Sequence, residues 1–183
     1  MKSSKNCVVI GPLFAQYDPD KLLSFGDTIM AGSVLQSHTF DYGVVAKESK
    51  LQEMINSSAF RQTTLLCTPS LYKKYLFFEQ VDCLPSLPTV ANTGKKIDDL
   101  SEQAISVMLS VWLEKQNVYL FGYDIFDLEE RSVLMAILTV SPHTKFFFVR
   151  KPNPQKINVF DSYENMNVID YVTFDGILKN ESK

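Results

Sequence analysis

Short apolar runs of strand length alternate along this chain with longer stretches whose apolar residues recur every three or four positions. That alternation constrains the fold more than any other feature of the 183 residues. Strands separated by helix-length segments are the mark of βαβ units, which need right-handed crossovers and a mainly parallel sheet. The first run, Asn6–Ile10, stops at Gly11-Pro12, and Asp18-Pro19 announces a short helix over 18–23. Further strands are predicted over 28–31, 42–46, 63–67, 117–121, 145–149, 157–160 and 168–172.

Helices are expected between them over 48–56, 71–78, 98–114 and 128–139, with a terminal one over 174–178. The 98–114 segment is the most strongly marked: Leu100, Ala104, Ile105, Met108, Leu109 and Trp112 form a broad apolar stripe behind an acidic first turn. Residues 81–90 carry Pro85 and Pro88 and read as irregular, and Lys151-Pro152-Asn153-Pro154 reads as a turn. The pattern describes a three-layer, Rossmann-like α/β domain over 1–183 with a mainly parallel sheet and a frayed tail from about residue 180.

Composition removes several classes. With 45% hydrophobic and 21% charged residues, the chain is neither disordered nor collagen-like. Eighteen basic against 21 acidic residues leave a net charge of -3, which argues against a protein held to nucleic acid by phosphate neutralisation. The N-terminal apolar run is shorter than the roughly 7 residues a signal peptide needs at minimum. No run approaches the roughly 18 residues of a membrane span. A soluble, cytoplasmic protein is therefore expected. Cys7, Cys67 and Cys83 show no CxxC spacing, so reduced thiols are the economical account, with Cys7 and Cys67 buried and inert. Two histidines, His38 and His143, sit far from each other and from any cysteine pair, so neither a metal nor another cofactor is expected.

In open parallel sheets the ligand crevice lies beyond the carboxyl ends of the strands, near the point where strand order reverses. Four of the seven glycines, Gly11, Gly32, Gly94 and Gly122, fall in loops that would line it. Gly11-Pro12-Leu13-Phe14 follows the first strand but lacks the second and third glycines of GxGxxG, leaving a plain turn or a modified ligand loop. Asn92-Thr93-Gly94 ahead of the long helix offers an amide, a hydroxyl and backbone N–H groups to an anion, with Lys95 and Lys96 beside it; an ordinary turn is the bland account. Tyr123 and Asp124 stand just past the central strand, suited to a ribose hydroxyl, while Asp124 equally suits a helix cap. His143, between a helix and a strand, belongs at the opposite end of a parallel sheet. Tyr72, Tyr75, Phe77 and Phe78 read as core or as a pocket lid. No GxSxG elbow exists from which to build a Ser-His-Asp set.

At Val8-Val9-Ile10-Gly11-Pro12, Asn92-Thr93-Gly94 and Asn117 through Asp124 the chain resembles the small bacterial sialyltransferases and their Rossmann-like relatives, including pterin-pyrophosphokinase-like proteins. The resemblance covers the order of elements over about residues 6–126. It implies a transferase fold that binds cytidine or a similar nucleotide, with Gly11 and Pro12 near the phosphates. Asn92, Thr93 and Gly94 would lie near the nucleotide or donor sugar, and Tyr123 and Asp124 at the crevice floor. Catalytic candidates are Asp124 and, in place of the family's histidine, His143.

Two functional readings stand side by side. One is a glycosyltransferase-like protein whose partner is a nucleotide or nucleotide-activated sugar. The other is a catalytically degenerate α/β binding or assembly protein, viral or accessory, in which Leu13 and Phe14 fill the former crevice and an exposed apolar patch makes a homo-oligomer.

Overall fold

The structure is a computed structural model, and it describes residues 4–14, 17–32, 38–153 and 157–181. Its strands are β1 (Asn6–Ile10), β2 (Asp27–Ala31), β3 (Tyr42–Val45), β4 (Thr64–Cys67), β5 (Val81–Cys83), β6 (Asn117–Phe121), β7 (Lys145–Arg150) and β8 (Met166–Asp170). The helices are α1 (Pro19–Leu23), α2 (Glu48–Ile55), α3 (Pro69–Tyr75), α4 (Glu102–Trp112), α5 (Leu128–Val140) and α6 (Tyr171–Glu181). All eight strands form one sheet in the order β5-β4-β3-β2-β1-β6-β7-β8, and every neighbouring pair is parallel. The chain winds outward from β1 to β5, then returns to the centre as β6 and winds outward the other way. The strand order therefore reverses between β1 and β6.

Alternating side chains of each strand feed two cores. On one face Val9, Ile29 and Leu120 meet Ile105 and Met108 of α4 and Leu134 and Ile137 of α5. On the other, Val8, Ile10 and Met30 meet Leu22 of α1, Leu51 and Met54 of α2, Leu71 of α3 and Phe174 of α6. Because both faces are covered, β1 is apolar at successive positions instead of alternating, with Cys7, Val8, Val9 and Ile10 all at most 1% exposed. Each large aliphatic or aromatic side chain so buried contributes about 1.5–3 kcal/mol. Among the described residues no helix is long and apolar enough to cross a membrane.

Several elements differ from their sequence-based bounds for local reasons. The long helix begins at Glu102, four residues later than the acidic turn implied. Ser101 caps it by accepting from the Ala104 amide at 3.1 Å, Leu100 is extended, and Ile97–Asp99 is a separate 3-10 turn. Its burial is complete from Gln103 to Ser110, because residues 84–100 lie over its outer side through Leu84, Leu87 and Leu100.

Residues 81–90 were expected to be irregular, yet they open with the three-residue edge strand β5 and run into a 3-10 turn at Pro88–Thr93. Residues 157–160 do not form a strand: the Asp161 amide bonds the Asn158 carbonyl in a turn, and Phe160 plugs the core at 2% exposure. The last strand lies earlier than expected, at β8, because Asp170 ends it and caps α6 by accepting from the Thr173 amide at 2.8 Å. Helix α6 then runs from Tyr171 to Glu181, so the tail expected from residue 180 begins helical. Ser33, the second residue of the Gly32 loop, and Pro154 of the 151–154 turn lie outside the described residues.

Candidate functional site

The reversal between β1 and β6 puts the loops after these two strands side by side at the C-terminal end of the sheet. They are joined directly. The Gly11 amide donates to the Phe121 carbonyl at 2.7 Å, the Leu13 amide to the Gly122 carbonyl at 2.9 Å, and the Phe14 amide to the Gly11 carbonyl at 3.1 Å. A Cβ on Gly11 would stand 2.6 Å from the Gly122 oxygen. Gly122 has φ +64, and a Cβ there would strike the backbone of Phe14. Glycine is required at both positions by the approach of one loop to the other. Phe14 turns inward onto Phe121 with ring centroids 6.3 Å apart, and Tyr17 joins the same cluster at 5.2 Å. Pro12 and Leu13 remain on the surface, Leu13 at 56% exposure.

Tyr123 follows Gly122 but points into the core, 2% exposed, with its hydroxyl donating toward the Glu130 carbonyl at 3.3 Å. Burial, reinforced by the Glu130 carboxylate, pushes its pKa well above the ordinary tyrosine value. Asp124 is half-buried. Its amide donates to Gln103 Oε1 at 3.1 Å, and its Oδ1 accepts from the Phe126 and Asp127 amides at 3.1 and 3.2 Å. The carboxylate therefore closes the turn ahead of α5. The helix cap is Asp127, whose Oδ1 accepts from the Glu129 and Glu130 amides.

Asn92, Thr93 and Gly94 do not sit at the N-terminus of α4, from which the 97–99 turn separates them. Thr93 Oγ1 donates to the Val90 carbonyl at 2.7 Å and accepts from the Lys95 amide at 3.2 Å, while Gly94 ends the 3-10 turn at φ +69. Asn92 is exposed. Lys95 pairs with Glu129, which ties this loop to the first turn of α5.

His143 is exposed at the other end of the sheet, beside Glu114, Lys115 and Asn117. The five residues of β6 separate it from Asp124, about 16 Å at strand rise, so the two cannot act on one substrate atom.

Three residues that sequence reasoning passed over come to the same end as Gly11 and Gly122. Glu102 Oε1 accepts from the Ala46 amide, beyond β3, at 3.4 Å, and its carboxyl carbon lies 4.0 Å from where a Cβ on Gly32 would be. Gln103 meets Asp124 as described, and Ser101 Oγ donates to Glu130 Oε2 at 2.7 Å. The signal for them was Ser101-Glu102-Gln103 immediately ahead of an unbroken apolar run, which marks the true helix start. The crest thus presents the half-buried carboxylates of Glu102 and Asp124, able to accept hydrogen bonds from hydroxyl groups, while Gln103 is buried beneath them and holds the Asp124 loop. Among the described residues no group of three His, Cys, Asp or Glu side chains is placed to hold a metal ion. Burial pushes the Cys67 thiol up to about 12 and raises that of Cys7, so neither is a ready nucleophile.

Fold and crest together define a doubly wound, all-parallel α/β protein whose loops meet at the switch point of the strand order. The chain matches no protein-family model, no curated protein and no solved structure.

Proposed function

We propose that this chain is a glycosyltransferase-like protein that binds a nucleotide or nucleotide-activated sugar at the C-terminal ends of its strands. The observation that carries this reading is the reversal between β1 and β6 with polar groups converging above it. Glu102 from α4 reaches Gly32 and Ala46, while Gln103 holds the Asp124 loop. Half-buried carboxylates there suit ribose or sugar hydroxyls, and Asn92, Thr93 and Lys95 flank the same end through Glu129.

A specific observation favours the second reading, a catalytically degenerate binding or assembly protein. The amides of Gly11, Leu13 and Phe14, which a phosphate would need, are taken up by backbone carbonyls. No acid–base pair can be formed from Asp124 and His143. The two readings agree on binding and part on turnover.

Titration with cytidine and uridine nucleotides and their sugar derivatives, read by thermal shift, tests the binding. A tenfold excess over Kd is expected to stabilise by about 1.4 kcal/mol. Glu102→Gln should weaken the effect. If no nucleotide moves the melting temperature at millimolar concentration, the nucleotide reading falls. Saturable binding without release of nucleotide from a sugar donor supports the degenerate reading.

A further inference from the structure

The chain contains three arginines, Arg61, Arg131 and Arg150, and two of them line one pocket. Arg131 comes from the first turns of α5 and Arg150 ends β7, and both stand on the face of the sheet that α4 and α5 cover. The pocket, of about 180 Å³, opens at the C-terminal end of β7. We propose that it binds a small organic anion, a carboxylate or phosphate monoester carried on an apolar or aromatic body.

Four observations support this assignment. First, the described residues lining the pocket include two guanidinium groups and no carboxylate, in a protein whose net charge is -3. Second, Arg150 Nη2 donates to the Asn153 carbonyl at 3.2 Å, which orients its planar fork, while Arg131 is half-buried and stands in no ion pair among the described residues. Planar forks of this kind grip carboxylate and phosphate oxygens two at a time, which a lysine does not. Third, Ile125, Ile157 and Val159 give the rest of the wall an apolar side, with Asn153 and Asn158 as its polar members, and Phe126 stands at its edge 79% exposed. A ring or aliphatic body seated there would cover Phe126 while its charged end met the arginines. Fourth, the volume is below the roughly 300 Å³ at which clefts for drug-sized ligands begin, so the occupant is smaller than a nucleotide. The pocket is thus separate from the nucleotide site proposed above, although the 122–127 loop borders both.

Calorimetric titration of the full chain with phenyl phosphate, benzoate, inorganic phosphate and benzyl alcohol tests the proposal. Phenyl phosphate or benzoate should saturate the protein, and the tighter of the two identifies the headgroup. Inorganic phosphate should bind more weakly, benzyl alcohol should not bind, and added salt should weaken the organic anion. Arg131→Gln is expected to reduce affinity about tenfold or more, the loss typical of a charge-assisted bond, with the melting temperature of the unliganded protein unchanged. Phe126→Ser should weaken the organic anions and leave inorganic phosphate as it was. Glu102→Gln, at the crest, should change nothing here, which keeps failure of the nucleotide reading distinct from failure of this one. Absence of saturable binding by either organic anion, or unaltered binding in Arg131→Gln, overturns the proposal.

Discussion

At the N-terminal ends of the strands the polar groups close on one another, whereas at the C-terminal ends two arginines line a small pocket and the carboxylates of Glu102 and Asp124 are left half-buried among the loops. Below the sheet, Lys115 pairs with Asp27, both side chains 8% exposed, and its Nζ also donates to the Ser4 carbonyl at 3.0 Å. Asn117 Nδ2 donates to Asn6 Oδ1 at 2.9 Å, and Asp41 Oδ2 accepts from the Thr28 amide and hydroxyl at 2.8 and 2.9 Å. These bonds tie the starts of β1, β2 and β6 to the segments around them. Two clefts lie at this end, about 370 Å³ beside Asp27 and Asp41 and about 630 Å³ beside Lys115 and His143, and a third of about 430 Å³ runs along β8 beside Arg150. The arginine pocket, at about 180 Å³, is smaller than all three. Opening size alone therefore does not mark the end of the sheet at which the loops of the reversed strand order meet.

The contrast breaks most visibly at Lys115. Lys115→Met leaves Asp27 buried without its partner and should cost about 3–5 kcal/mol in urea unfolding. Ligand affinity at the C-terminal end of the folded fraction should be unchanged. Were the variant as stable as the wild type, the N-terminal end would not be the structural one.

At the crest, Gly122→Ala combines a strained positive φ with a clash against Phe14 and should lose about 3 kcal/mol. The loss should come with altered nucleotide binding, because the Gly11 and Gly122 loops would part. A variant with full stability would show that the loop junction yields easily.

The buried thiols give a smaller, pH-dependent effect. In the folded chain Cys67 keeps its proton to about 12, whereas an ordinary thiol releases it near 9.0, so its contribution is complete below pH 9 and is lost as pH rises toward 12. One unit above pH 9 the loss should be about 1.4 kcal/mol from this group, and Cys67→Val should flatten that part of the alkaline limb in denaturation curves. An unchanged slope would place the thiol in contact with water.

His143→Ala should be the mildest change, within about 0.5 kcal/mol in stability and without effect on any ligand. Lost binding in this variant would move function to the N-terminal end and reverse the comparison.

The central strands were readable with little error. β1 and β6 match their expected bounds because in each an asparagine leads into four consecutive apolar residues that stop at a glycine, Gly11 or Gly122. Placement of His143 away from the crest followed from counting one helix and one strand in a parallel sheet. The helix start at Ser101 was misread because two acidic residues at 98 and 99 imitate a first turn, and only the Ser101 side chain bonding the Ala104 amide resolves the ambiguity. Tyr123 looked like a crevice residue by position, but Gly122 at φ +64 ends the alternation of β6 and turns the next ring into the core shared with α4 and α5, its hydroxyl bonding the Glu130 carbonyl.

Periodicity and punctuation in the linear chain were enough for a parallel, three-layer α/β architecture, since burial of both sheet faces demands apolar strands and amphipathic crossovers whatever their order. They could not tell which loops would touch. The joining of Gly11 to Phe121, the arrival of Glu102 beside Gly32, and the meeting of Arg131 with Arg150 link residues 19 to 110 positions apart. Such contacts depend on strand order and on where a helix starts, quantities set by packing of the whole sheet and not by any local run of residues.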